Sequence, residues 1–574
     1  MPSVPPAPEL RVATPEATED IPAPADLQET ARAPRRVPLR WRLWPSSRLE
    51  RASAAVFAVA ILLVLAPVLF APVNADERFQ YFVAEVKSHG SFLQLFAWSW
   101  HDIPANAAQG RITPLGFLAQ RIAYFLGLNS SVTFGVPLVV AHAAIRLTLL
   151  CVVLWAVRSL LVRVRARGPE GAAVGLAPER VRVVLATTAL VFALGATVQD
   201  QFSNGLVTYP VLTYTALALM IGFPAILLGL LRRLATSWSV PLAVAAFAVA
   251  ALLGAVLNIS YELYYVAFPT MVAALVLQYV QGGARRAKAL LLGGVVLGFG
   301  VMFAWTRSIL AAACAHSACY AGVQPQLDGG AVRTAVLNIV NATPVAGWGA
   351  ARRDLTANGL GDLYPDWHGN ELSVVVLVAA AAWAVLVLAA FRRWSPAVPG
   401  EARAVVKAMV VVAGAGIGSA VVMAVSAQAQ VRIGGLGVPY RNTFATWGSL
   451  ALGAVLVAVF VALLLRGRRR ALAPFAVVAA LAVGIGVFQF PLNAAVTRAH
   501  EVAPGVSLPR RVADEVTYGE RGAAADARRC ALVAEARTAR IGRTAQRRLM
   551  PAAAQSFQRL HGFPFCRAGL TAGK

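Results

Sequence analysis

The sequence predicts an all-α polytopic membrane protein with about eleven transmembrane helices, and three observations carry that prediction. Hydrophobic residues make up 58% of the 574 residues, charged residues only 14%, and the mean hydropathy is +0.64. Apolar runs of roughly 18–23 residues, the length a bilayer core requires, recur along most of the chain. Basic residues gather in short clusters between alternate pairs of runs, as membrane topology demands. The net charge of +25 therefore belongs to loops that set orientation. A nucleic-acid binder would concentrate it on one folded face among base-stacking aromatics, so nucleic acid is excluded as a partner.

Taken in order, residues 1–50 are rich in Pro, Ala, Glu and Thr with little apolar periodicity, and are expected to be a disordered cytoplasmic segment. Arg35, Arg36, Arg40, Arg42, Arg48 and Arg51 precede the first span and should hold the N-terminus in the cytoplasm. Val73-Asn74-Ala75 looks like a small-residue cleavage site, but the long basic leader and full-length span predict an uncleaved signal anchor. Within a membrane domain at 51–493, spans are expected at 54–73, 132–157, 181–198, 210–231, 240–257, 264–280, 290–311, 372–391, 408–425, 443–465 and 472–490.

Arg158, Arg163, Arg165 and Arg167 fall in one connection, Arg232 and Arg233 in another. Arg285, Arg286 and Lys288, then Arg392 and Arg393, then Arg466, Arg468, Arg469 and Arg470 follow on the same side. The connections at 199–209 and 258–261 have no Lys or Arg. The N-terminus is thus expected inside and the C-terminus outside.

The first outer loop begins Asn74-Ala75-Asp76-Glu77-Arg78 and continues through aromatic segments at 79–86 and 92–100 to Asp102, Gln109 and Arg111. Aromatic and charged residues on opposite sides suit helices lying in the interface. Two carboxylates where a span emerges point to an active site at the outer face. Helix capping, or a solvated loop, is the alternative use for Asp76 and Glu77.

Of the five cysteines, Cys151 lies within a span and is expected to pack there. The other four fall on the expected outside, where oxidation is permitted, and Cys314–Cys319 and Cys530–Cys566 are the expected disulfides. A metal site from Cys314, His316 and Cys319 is the rival for the first pair, though it lacks a fourth ligand. Residues 494–574 hold no span. Helical segments at 514–533 and 536–549 predict a small extracytoplasmic C-terminal domain tied by one disulfide. Its basic surface would face anionic lipid or phosphate-bearing substrate, or serve solubility alone.

No phosphate-binding loop, dinucleotide fingerprint, zinc-protease helix or nucleophile elbow is present, and the glycines at 414–418 lie within a span, where small residues serve packing. That argues against a cytoplasmic nucleotide enzyme. The outer-face candidates are Asp76, Glu77, Asp200, Tyr261 and Glu262, with Arg78, Arg111, Arg432 and Arg441 as cations for substrate. Carboxylates at such depth are costly unless paired or functional. A carboxylate within reach takes the proton from an acceptor hydroxyl in glycosyl transfer. Arginine meets the departing phosphate with a two-pronged fork, and Arg432 and Arg441 are the only cations of a short Gly-rich outer loop. Lipid-headgroup anchoring is their other use. His142 and Arg146, four residues apart inside the second span, share a helix face, so Arg146 needs a carboxylate, a lipid phosphate or a structural ion pair.

This layout resembles the integral-membrane GT-C glycosyltransferases, which use polyprenyl-phosphate sugars. Asp76-Glu77, directly after the first span, is similar in type and place to the acidic motif in their first outer loop. Residues 79–128 would supply their juxtamembrane helices, and Asp200 stands where many members hold a second acidic residue. An outer C-terminal extension and an Ala/Arg/Val-rich composition resemble the actinobacterial cell-wall members.

The resemblance implies a multi-pass protein of the bacterial cytoplasmic membrane, with Asp76 or Glu77 as general base and the arginine pair on donor phosphate. Its partners would be membrane lipid, a polyprenyl-phosphate sugar donor and an extracytoplasmic glycan, glycolipid or protein acceptor. It names no certain cofactor and leaves assistance by a divalent metal open. A transporter or flippase of lipid-linked saccharides is the alternative, although no internal repeat is evident and the polar residues lie at span ends. A non-catalytic assembly protein is the third reading.

Overall fold

The computed structural model describes residues 48–567 except 74, 199–203, 281–283, 317–318, 320–321, 323, 358–359, 361, 363–371, 466, 503 and 539–542. Asn74 and Asp200 lie outside the described residues, as does residues 1–47 of the N-terminal segment.

Helices dominate. The membrane bundle contains α1 (Arg48–Leu69), then, after the first loop, α6 (Leu138–Arg163), α7 (Pro178–Gly195), α8 (Pro210–Thr236) and α9 (Val240–Asn258). A 3-10 turn (Glu262–Val266) leads into α10 (Ala267–Leu277), followed by α11 (Arg285–His316), α14 (Leu372–Arg392), α15 (Glu401–Ala424), α17 (Thr443–Leu464) and α18 (Arg468–Val502). The first loop forms α2 (Ala75–Ser88), α3 (Phe92–His101), α4 (Ile103–Ala108) and α5 (Pro114–Phe134). Shorter helices α12 (Gly329–Asn341), α13 (Pro344–Ala357) and α16 (Ala427–Arg432) fill later connections, and α19 (Pro504–Tyr518), α20 (Ala523–Thr538) and α21 (Arg543–His561) form the tail. A two-residue hairpin, Ala166–Arg167 against Ala173–Val174, lies between α6 and α7.

Among the described residues, nine helices are long and apolar enough to cross a bilayer. Leu62, Leu147, Leu252, Val296 and Leu377 on their surfaces stay exposed, as side chains covered by lipid would. The chain is a multi-pass membrane protein of all-α class. The other two expected spans fall on shorter elements. One is α7, 18 residues with Glu179, Arg180 and Arg182 among its first five. The other is the 3-10 turn followed by the 11 residues of α10. Most of α7 is buried within the bundle.

One end of the bundle collects the basic connections. Arg180 forms a fully buried ion pair with Glu401, which also accepts from the backbone N–H of Ala177 and Val398. Arg393 pairs with Glu50 at 2.8 Å, Lys407 donates to the Arg165 carbonyl and Arg468 to that of Trp394. The charge clusters that alternate in sequence therefore meet in space.

The closest helix contact joins α9 and α11. A Cβ on Gly298 would stand 1.9 Å from the Ala251 carbonyl oxygen, and one on Gly254 2.4 Å from that of Val295. Gly294 and Gly298, four apart, let the two backbones approach as small residues do in membranes.

Two details depart from expectation. Cys151 does not pack inside the bundle; its thiol is free and exposed on the surface of α6. The expected helix at 514–533 is broken at 519–522, where Gly519 (φ 58°) and Gly522 (φ 112°) take the left-handed conformation that ends helices. Both expected disulfides, Cys314–Cys319 and Cys530–Cys566, are formed, so the first pair's thiols are not metal ligands.

Replacing Gly298 by Leu should force α9 and α11 apart and cost about 2–3 kcal/mol, whereas Gly300→Leu, with open space around it, should cost little. Thermal unfolding in detergent measures both; equal midpoints would refute the close contact.

Candidate functional site

The first loop and the tail build one apolar core at the opposite end of the bundle. Phe79, Phe82, Leu95, Phe125 and Leu128 of α2, α3 and α5 pack with Leu508, Val512, Leu549, Phe557 and Phe565 of the tail. Arg559 of α21 pairs with Glu85 of α2 at 3.2 Å, and Asn129 of α5 donates to the same carboxylate at 2.9 Å. The helix that begins with the acidic pair is thus held on both sides.

Asp76 sits in the first turn of α2, its side chain outside the description. Glu77 is fully buried. Tyr124 Oη donates to Glu77 Oε1 at 3.3 Å and receives Gln120 Nε2 at 3.3 Å. Burial, and then the Glu77 charge, raise the Tyr124 and Tyr81 phenols well above their ordinary values, so both stay protonated. Tyr81 packs against Tyr124 with ring centroids 4.7 Å apart and shares a 2.6 Å hydrogen bond with His142 Nδ1.

Arg78 points the other way, into a cavity of about 20 Å³ lined also by Asp514, Glu501 and Arg510. That is room for one water molecule. Burial lowers the Arg78 guanidinium to about 9, so it remains charged at neutral pH, and burial likewise raises the Asp514 carboxyl.

Arg146, fully buried, forms no ion pair with a carboxylate among the described residues. Its Nη1 donates to the carbonyls of Val68, Leu69 and Ala71 at 2.7–3.0 Å, and its Nη2 to the Val207 carbonyl. The end of α1 leaves carbonyls without helical partners, and Pro72 prevents the helix from continuing. A fork of N–H donors satisfies them without a counter-charge, which corrects the expectation of an ion pair.

Four connections meet beside this cap. The Leu115 N–H donates to the Ile259 carbonyl, and a Cβ on Gly116 would collide with the Ser260 carbonyl at 1.9 Å. The Gly205 N–H donates to the Tyr440 carbonyl at 3.1 Å, and a Cβ there would stand 2.4 Å from the Arg441 carbonyl. Only glycine permits either approach. Buried Asn204 folds its own loop, donating to the Thr197 carbonyl and accepting from the Leu206 N–H.

Arg441 then reaches Tyr261 Oη at 3.2 Å and lies 5.3 Å from the ring centroid of Tyr209. Tyr209 holds the left-handed conformation (φ 48°), rare for a bulky residue and costly without a compensating role. It lies within electrostatic range of Tyr124. Two polar clusters result, Glu77 with Tyr124 and Gln120, and Arg441 with Tyr261 and Tyr209.

Glu262, next to Tyr261, faces a half-open cleft of about 200 Å³ that Gly110 and Ile112 also line. Arg111, between those two, lies 5.7 Å from the Phe117 ring centroid. Arg432 ends α16 with its side chain exposed, and no described contact joins it to Arg441. The structure thus brings Arg441 to Tyr261, with Glu262 alongside, and buries Glu77 against Tyr124 at the same end of the bundle, while Arg78 and Arg432 stand apart. Tyr81, Tyr124 and Tyr209 were not singled out from the sequence, nor was Arg307 of α11, which also lines the cleft beside Glu262. A lone arginine inside an apolar run was a signal for Arg307; the tyrosines carried none. Among the described residues no three His, Cys, Asp or Glu side chains gather as a metal site.

No protein-family model, curated protein or solved structure matches this chain.

Arg146→Ala should remove the donor from the buried Leu69, Ala71 and Val207 carbonyls and cost about 3–5 kcal/mol. Arg146→Lys keeps the charge without the fork and should fall between the two. Detergent-solubilised thermal unfolding reads the order, and an unchanged midpoint for the alanine variant would refute the cap.

Proposed function

We propose that this protein transfers a sugar from a polyprenyl-phosphate donor to an acceptor hydroxyl of a cell-envelope glycan, glycolipid or protein. The observation that carries the reading is a pair of opposite charges fixed at the same end of the bundle: Glu77 of the acidic pair, bonded by Tyr124, and Arg441, more than 300 residues away in the chain, held on Tyr261 and Tyr209. A carboxylate and a guanidinium are the two charges that glycosyl transfer from a phosphate requires. The acidic pair takes the proton from the acceptor hydroxyl as its oxygen bonds to the sugar carbon. The bond from that carbon to the phosphate breaks, and Arg441 meets the charge left on the phosphate. Tyr261 and Tyr209 hold the guanidinium in place. No step is assigned to a metal.

In this reading the protein lies in a bacterial cytoplasmic membrane. The ion-paired, arginine-rich end faces the cytoplasm, and the site and tail face outward. The short helices α7 and α10 also cross, giving eleven spans and opposite sides for the termini. Their length is sufficient because neighbouring helices, and not lipid, cover much of each.

The test complements a deletion strain with wild type or with Asp76→Ala/Glu77→Ala at equal expression, reading envelope glycan composition by mass spectrometry. The double variant should lose the same sugar as the deletion, and Arg441→Ala should reduce that sugar's transfer by about 10²–10³. A normal glycan from the double variant would sink the enzyme reading in favour of transport or assembly.

A further inference from the structure

The cleft beside Glu262 holds a second feature that sugar transfer does not use. Arg307 of α11 also lines it, and Glu262 and Arg307 do not pair with each other or with any other described charge. Both lie close enough to the Tyr265 phenol, also in the lining, to act on it electrostatically. Ser426, which lines the same cleft, is 92% buried, counted from its 8% exposure, and its hydroxyl has no described hydrogen-bond partner. Three polar groups of different kinds (an anion, a cation and a neutral hydroxyl) thus converge without satisfying one another.

An occupant that shields these groups from water must replace what it removes. An uncompensated charge taken out of water would oppose binding. A neutral sugar hydrogen-bonds both but leaves both charges in place. A ligand with one negative and one positive group compensates the two together.

Size and position narrow the class. At about 200 Å³ the space is below the roughly 300–1,000 Å³ of sites that enclose a whole drug-sized ligand, so it fits a headgroup with the remainder outside. The Arg307 guanidinium lies 5.2 Å from the ring centroid of Phe303, which is 37% exposed, and Trp305 is 49% exposed. The cation therefore stands at the edge of the apolar surface that a bilayer covers.

We propose that this cleft binds the headgroup of a zwitterionic phospholipid bearing a primary ammonium. The phosphate meets Arg307, and the ammonium donates to Glu262 across the Tyr265 ring. Ser426 supplies a further hydrogen bond to the phosphate. The site stands independently of the sugar-transfer reading.

The experiment titrates the purified full chain in detergent with short-chain phosphatidylethanolamine, phosphatidylcholine and phosphatidylglycerol, following binding by native mass spectrometry. Phosphatidylethanolamine should bind about tenfold tighter than either of the others, because one lacks N–H donors and the other lacks the cation. Glu262→Gln should erase that preference while phospholipid binding persists, and Arg307→Ala should weaken all three lipids. Arg307→Lys, expected to retain part of the affinity, covers the case in which the alanine variant does not fold. Equal binding of phosphatidylglycerol, or an unchanged ranking in Glu262→Gln, would overturn the proposal. Soluble glycerophosphoethanolamine binding as tightly as the lipid would overturn the membrane source, and competition by a neutral disaccharide would reassign the cleft to saccharide.

Discussion

A single buried guanidinium holds the candidate site together. Arg146 donates to three carbonyls at the end of α1 and to one at Val207. The first three determine where the chain leaves the bundle and starts the helix that carries Asp76 and Glu77. The fourth anchors the loop whose Gly205 bonds the Tyr440 carbonyl and whose Tyr209 supports Arg441. Backbone groups in an apolar medium must be satisfied by protein, and a residue with five N–H donors does this where no helix continues. A buried arginine normally signals a carboxylate partner. Here the partner is the dipole at a helix C-terminus, which also favours positive charge.

The two ends of the bundle solve the problem of charge differently. At the basic end, Arg180, Arg393 and Lys407 are consumed by carboxylates and carbonyls, so the charge there is structural. At the other end, Arg441 reaches the Tyr261 phenol and the Tyr209 ring, while Glu262 and Arg307 line an open cleft without pairing with a described charge. Charges in the condition of Glu262 and Arg307 near a membrane surface are available to a ligand.

The tail belongs to this second end. Its helices share a core with the first-loop helices, and the Cys530–Cys566 bond lies at the edge of that core. Arg559 on Glu85, and Asp514 beside Arg78, tie it to the helix bearing the acidic pair. The expected boundary at 493 falls inside the continuous helix α18, which carries the chain from the bundle directly to the tail.

The sequence by itself determined the class of protein, most of the spans, both disulfides and the alternation of basic connections. These follow from run length, composition and residue type, which are local properties. It also singled out Glu77, Tyr261, Glu262 and Arg441, since charged and polar residues at span ends are conspicuous. It did not reveal that Arg78 turns away from Glu77, that Arg146 is satisfied by carbonyls, or that Tyr124 holds Glu77 and Tyr209 supports Arg441. Those depend on which helix faces meet and on two glycines that allow connections to touch at backbone distance. Such contacts join residues hundreds of positions apart, and no periodicity along the chain encodes them; only packing in three dimensions decided the site.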